Sequence, residues 1–409
     1  MPLPDKTAPK KPRESEEDKD EATTLALCDL AMTLALDEAR GGESGQESID
    51  FHKIIKRSLH QKKDEVLYDA LARAESLDHR AVIHLKAAVE EAAEVTVIER
   101  ADGRRMEINA FVIPLFLHTV GGLDPERCFQ DQDAFEQLSK SFQAGALESP
   151  TATVVLVNHG YHLNEIDGIT YSHLHEMLRD AFGAMTDKRI AATPAIDRSF
   201  GGWPDSPFAA DDAAIELRFL LGFSLKAVDD PFYAVPESEA DADAYFTARE
   251  MRFQKWTATA APLVRRCFGL AGNGGGAQDS DVHFLYQDLF HGGKERGIAE
   301  YFMLQMISEL NQGLQANGVG GAAARAVMGP VEAGGEAVLR VFLHATAGGA
   351  LLARADKPVP GIPDWDLEFA DCHGALTMIG VSSVAVARQF DRDGLAIDLS
   401  PYDGSSVAA

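Results

Sequence analysis

Residues 152–160, ATVVLVNHG, decide how the chain is read: a run of β-branched and aliphatic residues that ends at a polar His159-Gly160 pair. Such residues suit a half-buried pleated surface, and a glycine marks the point where the chain leaves it. The pattern therefore predicts a strand over Ala152–Asn158. Working outward, it predicts a helix over about Ser172–Met185, a short extended piece near Ala191–Asp197 and a longer strand over Ile215–Val228. In that last strand Ile215, Leu217, Phe219, Leu221, Phe223 and Leu225 alternate onto one face.

A similar order recurs downstream. Val282–Phe290 reads as a strand ending in His291-Gly292, Glu295–Ala316 as an amphipathic helix, and Ala324–Met328 and Val338–Thr346 as a short and a longer strand. Leu217-Arg218-Phe219 also finds a counterpart in Leu339-Arg340-Val341. The expectation is a mixed, layered α/β protein in which a β-α-β-β unit is duplicated, at residues 151–230 and 281–390, each sheet covered by helices on at least one face.

The flanking segments complete the division. Residues 1–21 carry almost nothing to bury and read as a disordered tail. Residues 22–150 read as a helical region with a β-hairpin, the turn being Ala101-Asp102-Gly103 between Val95–Arg100 and Arg105–Ala110. Pro114, in the apolar run that follows, suggests a sheet edge or a bulge. Residues 231–280 hold an acidic connection, a helix over Ala244–Cys267 and the Gly-rich linker Gly272–Gly276. Leu367–Ala370 and Leu376–Ala387 read as strands, and residues 391–409 as a weakly ordered tail.

A length of 409 residues with 45% hydrophobic content is ample for more than one core, and the formal net charge is −26. That charge repels nucleic acid and anionic membranes, and no basic stripe interleaved with aromatics offsets it. Neither is expected as a partner; another protein or self-association is. The polar start lacks the apolar core of a signal peptide, and Cys28, Cys128, Cys267 and Cys372 form no paired motif. These signs favour reduced thiols and a cytoplasmic location.

Chemistry-bearing residues cluster once. His159, His162, His173 and His175 lie close together, beside Glu165 and Asp167. Imidazoles and carboxylates suit zinc or another divalent metal, with His159, His162, Glu165 and His173 as candidate ligands and His159, His162 and Asp167 as candidate catalytic groups. No His-Glu-x-x-His is present, and on one helix His173 and His175 point about 200° apart, so only one of them could face such a site.

Three further features are weaker. His291-Gly292-Gly293-Lys294 places Lys294 where a strand meets a helix, an anion-friendly arrangement that lacks the phosphate-loop Ser or Thr. Asp371-Cys372-His373 on a strand sends thiol and imidazole to opposite faces. Arg218 and Arg340, each opposite the apolar face of its strand, could clamp small anions in related clefts or pair with nearby acids.

The leading expectation is a non-catalytic interaction or scaffolding protein with no cofactor. A metal-assisted hydrolase built on His159 and His162, and a small-anion-binding regulatory module built on Arg218 and Arg340, stand as alternatives.

Overall fold

Aliphatic and small residues at three- and four-residue steps make the N-terminal region helical: α1 Glu16–Ala39, α2 Gln46–His60, α3 Asp64–Leu77 and α4 His79–Glu94. Their buried stripes include Leu27 and Ala31, Phe51 and Ile55, Leu67 and Ala70, and Leu85 and Val89. Each larger aliphatic side chain so buried contributes about 1.5–3 kcal/mol. α1 packs on α3 and α4, and the Cys28 thiol donates to the Ala70 carbonyl at 3.3 Å. Asp78 starts α4 by accepting the backbone N–H groups of Arg80 and Ala81. The computed structural model describes residues 15–39, 45–100, 102–119, 123, 129–186, 214–270, 282–333, 336–360, 363–390, 396–402 and 404. The extended piece at Ala191–Asp197, Gly272–Gly276 and Cys128 lie outside them.

The remaining elements, in chain order, are β1 Val95–Glu99, β2 Arg105–Thr119, α5 Gln132–Ala144, β3 Thr153–His162, α6 Leu163–Asp167, α7 Tyr171–Thr186, β4 Ala214–Ala227, α8 Glu239–Cys267, β5 Val282–Phe284, β6 Asp288–Leu289, α9 Phe290–Ala316, β7 Ala324–Ala333, β8 Glu336–Ala345, β9 Leu351–Pro358, α10 Trp365–Met378, β10 Ser383–Phe390 and β11 Ala396–Tyr402. The mixed α/β class read from the sequence holds. Among the described residues no helix is long and apolar enough to cross a membrane.

Two units divide the chain: Met1–Pro114, Asp124–Trp203 and Arg218–Gly293 form the first, and Leu115–Leu123, Pro204–Leu217 and Lys294–Ala409 the second. One sheet has the strand order β1-β2-β4-β3, with the short β5 and β6 also paired to β2. β1 is an edge strand, joined to β2 through an antiparallel hairpin in which Glu99 faces Arg105. Gly103 in the turn adopts φ 80°, a left-handed conformation that glycine tolerates without cost. Pro114 is not at an edge of this sheet. It lies where β2 has outrun β1, and its carbonyl accepts the N–H of Leu285 at 3.1 Å.

β4 lies between β2 and β3, and every residue from Glu216 to Leu225 is buried. The one-sided alternation expected there is therefore only half of the story: Arg218 is fully buried too, because an interior strand is covered on both faces. In the first unit α5 packs on α8, with the Trp256 indole N–H donating to Ser141 at 3.0 Å.

The other sheet has the order β11-β10-β7-β8-β9, with β10 parallel to β7 and the remaining described pairs antiparallel. Alternate residues Ala326 and Met328 of β7, Leu339, Val341 and Leu343 of β8, and Val384 and Val386 of β10 meet Met306 and Leu310 of α9 and Cys372 and Leu376 of α10 in one core.

Several expectations change. The duplication of a β-α-β-β unit is not confirmed: β3 and β4 pair with each other, whereas β5 and β6 pair with β2 while β7 and β8 belong to the other sheet. α1 begins at Glu16, inside the stretch read as a tail, because acids in a first helical turn are favoured by the helix dipole. Leu367–Ala370 is helical, as is the Asp371-Cys372-His373 motif, since Phe369, Cys372 and Leu376 repeat at helical spacing behind an Asp364 cap. Within 391–409, residues 396–402 form β11, which completes its hydrogen bonding on β10.

Candidate functional site

Two histidine-bearing regions of the first unit carry chemistry. The first lies at the end of β3. β3 pairs with β4 in an antiparallel register that places His162 opposite Arg218, with an irregularity between Leu156 and Gly160. A side chain at Gly160 would collide with the Phe268 ring, so glycine is what lets β3 approach α8's end here. The His159 and Tyr161 rings meet edge-to-face, 4.4 Å between centroids.

His162 ends the strand and caps α6. Its Nδ1 accepts the Asn164 N–H at 3.2 Å, while Glu165 Oε2 accepts the His162 N–H at 2.9 Å. The same carboxylate faces His159 Nε2 at 2.9 Å. Burial works to raise the Glu165 carboxyl, but the His159 and His162 contacts and the nearby Arg218 guanidinium outweigh it and hold the group below its usual range. Burial, then the Arg218 charge, pushes the His162 imidazole down to about 4, against the pull of Glu165. Arg218 also lies 5.8 Å from the Phe268 ring centroid.

His159, His162, Glu165 and Arg218 are thus brought together: Glu165 engages His159 and the His162 N–H, and the Arg218 charge bears on both His162 and Glu165. The His162 Nδ1 lone pair is spent on a backbone cap. Among the described residues no group of three His, Cys, Asp or Glu side chains is placed to hold a metal ion.

The other residues singled out by sequence lie apart from this network. Asp167 is exposed at the end of α6, and His173 is half-buried on α7. His291-Gly292-Gly293-Lys294 forms the first turn of α9 instead of a loop. There the buried Glu94 carboxylate accepts both the His291 N–H and its Nδ1 at 2.9 Å, so a carboxylate of the chain itself occupies the place an external anion would take. Lys294 follows on the same turn, half-buried. Arg340 is clamped by Asp356 at 2.7 and 2.6 Å across the β8–β9 pair, with Arg354 on the same carboxylate. That is pairing with a neighbouring acid, not an open cleft. Cys372 is fully buried, and burial pushes its thiol up to about 12, far from a thiolate at neutral pH.

The second region is a cleft of about 640 Å³, all of whose walls belong to the first unit. α2 supplies His52, Lys56 and His60, one stripe at four-residue steps; α4 supplies Ala88, Glu91 and Ala92. The edge strand β1 contributes Val95 to Ile98, β2 Ile108, and α7 His175, Arg179 and Phe182 among others. α7 is pinned by Asp64 of α3, whose carboxylate accepts the Ser172 N–H at 2.8 Å and the Thr170 hydroxyl at 3.0 Å.

His175 is the unusual member. Only 6% of it is exposed, yet neither ring nitrogen makes a hydrogen bond of normal geometry. Buried polar atoms without a partner are rare, since each costs about 1–3 kcal/mol. The exposed His60 ring packs edge-to-face against it at 5.0 Å. Burial lowers the His175 pKa, helped by the charges of His60, Arg179 and Lys56 and opposed in part by the backbone of Ala92.

No known family, curated protein or solved structure matches this chain.

Sequence reasoning singled out the His159 end of the histidine cluster, whereas the open cleft lies around His175. The missed signal was the match between His175 and the α2 stripe, which only tertiary packing brings together.

Proposed function

We propose that this chain is a non-catalytic interaction protein whose recognition site is the cleft of the first unit. The observation that supports this reading is the buried His175, neither of whose ring nitrogens makes a hydrogen bond of normal geometry, in the wall of a cleft of ligand size with a mixed apolar and polar lining. The network around Glu165 favours a structural role for the residues that a hydrolase would need, since their polar atoms are engaged with one another. The interaction role expected from the sequence is kept, and the cleft supplies a centre for it that the sequence did not name.

The test is a melting-temperature screen of the full chain against small amphipathic probes with anionic, neutral and cationic heads. A parallel screen uses Val97→Glu, which places a charge in the cleft at a residue already 46% exposed. A ligand at a hundred times its dissociation constant stabilises by about 2.7 kcal/mol. At least one probe should raise the melting temperature of the wild type and not that of the variant. Identical responses from both proteins to every probe would contradict the reading. So would stoichiometric metal, retained after chelator-free purification and lost in a His159→Ala/His162→Ala double variant, which favours the hydrolase instead.

A further inference from the structure

The cleft's chemistry narrows its ligand. Resting on the reading of this cleft as a recognition site, we propose that it binds a small amphipathic carboxylate, the apolar body against Val97, Ile98, Ile108 and Phe182 and the carboxylate at His175.

The first support is the orphaned imidazole. A neutral imidazole offers one N–H donor and one acceptor; the Ala92 backbone bears on the His175 ring, yet neither nitrogen makes a hydrogen bond of normal geometry within the chain. A carboxylate, ionised at neutral pH, accepts from that N–H donor. The ring nitrogens are withdrawn from bulk water, with the exposed His60 ring edge-to-face against the His175 ring.

The second support is local charge. The chain carries −26 overall, yet the charged neighbours that bear on His175 are His60, Arg179 and Lys56, all cationic when protonated. Acids do line the cleft: Glu91, Glu176 and Asp180, each exposed. Glu176 is held by Lys62 at 2.7 Å, and the strongest charge effects on the buried ring come from His60, Arg179 and Lys56. The cationic wall continues outside the cleft, where Lys53 and Arg57 share the outer side of α2 with His52, Lys56 and His60 along an adjoining depression. Along the cleft and the depression together, Lys53, Lys56, Arg57 and Arg179 stand against Glu91, Glu176 and Asp180, a local balance more favourable to an anion than the chain's overall −26.

The third support is the lining. Val97, Ile98 and Ile108 belong to the hairpin of β1 and β2, and Phe182 to α7, so apolar surface stands near the cationic groups in one concavity. A fully charged small ion would leave that surface wet, whereas a carboxylate on a hydrocarbon body covers it and gains the transfer free energy.

The experiment is titration calorimetry of the full chain at pH 7.5 with decanoate, decan-1-ol and decylammonium, each below its aggregation concentration. Decanoate should bind at one site, about tenfold or more tighter than the alcohol, as expected for a hydrogen bond to a charged group. Decylammonium should bind more weakly still. His175→Leu and Lys56→Glu should each weaken decanoate about tenfold while leaving the alcohol within about twofold, because the apolar contacts persist. Melting and circular dichroism of both variants establish that they are folded.

Alcohol binding as tight as decanoate, with both abolished by Val97→Glu, overturns the carboxylate assignment and leaves the cleft as a recognition site for apolar ligands. Binding of none of the three probes, or decanoate binding unchanged in His175→Leu, Lys56→Glu and Val97→Glu alike, overturns the assignment as well. In that case the screen described above decides the recognition site separately.

Discussion

His162 and His175 are both buried, both lie in the first unit and both have a lowered pKa, yet their surroundings differ in kind. Around His162, the Glu165 carboxylate, the His159 ring and backbone groups engage one another, with the buried Arg218 guanidinium close by, although its Nε makes no hydrogen bond of normal geometry. Around His175, neither ring nitrogen makes a hydrogen bond of normal geometry, beside a cleft lined by apolar side chains, cations and exposed acids. The contrast shows that histidines close together in sequence are not thereby parts of one site. What separates structural from recognition groups is whether their polar atoms have been spent.

Removing the hub of the closed network should have the largest effect. Glu165→Leu deprives His159 and the His162 N–H of their acceptor and removes a carboxylate on which the charge of the fully buried Arg218 bears. Loss of one partner from a buried ionic group costs about 3–5 kcal/mol, which urea denaturation at pH 7.5 will read. A loss under about 1 kcal/mol would mean that the network is not what holds β3, α6 and β4 together.

Acidity acts next. The folded-state pKa of His162, about 4, lies below its ordinary 6.5, so the unfolded chain takes up a proton before the folded one does. The stability conferred by the neutral ring is fully present above pH 6.5 and is lost as pH falls towards 4, by an amount on the order of 3 kcal/mol. The depressed Glu165 pKa acts in the same direction: its contribution is present above the ordinary carboxylate value and is lost as pH falls further. His162→Asn keeps a capping acceptor but has no proton to gain. It should flatten the slope of stability between pH 6.5 and 4, and an unchanged slope would assign the acid sensitivity elsewhere.

A smaller effect belongs to the scaffold of the cleft. Asp78→Ala removes the two backbone bonds that start α4, one wall of the cleft, and should cost about 1 kcal/mol. It leaves the pH slope set by His162 unchanged, which separates the two regions in one set of denaturation curves.

The sequence made the layered α/β class legible through alternation in β4 and β8 and through helical spacing in α2 to α4 and α9. It misled where a local pattern has a non-local cause. Leu217 to Leu225 looked one-sided because Glu216 and Arg218 are charged, but the strand is interior and both charges are buried. The repeated strand order looked like duplication because pairing partners cannot be read from strand content alone; β5 and β6 join β2, while β7 and β8 pair with each other. The Cys372 motif looked extended until the 369, 372, 376 spacing is set beside the Asp364 cap. Within the histidine cluster, the opposed directions of His173 and His175 on a helix were readable. That His175 is the one turned inward, against His60 of α2, depends on how α7 packs on α2 and α4.

The contrast between a finished network and an unfinished cleft is tested most directly by making one substitution at both histidines. Urea denaturation at pH 7.5 compares His162→Leu with His175→Leu in the ligand-free chain. His162→Leu loses a cap and a network member, for about 2 kcal/mol or more. His175→Leu exchanges an unpartnered polar ring for an apolar one, so its stability should stay within about 0.5 kcal/mol of wild type or rise above it. A His175→Leu variant as destabilised as His162→Leu would show that the His175 nitrogens are already satisfied within the fold, and the account of the cleft as a recognition site would fail.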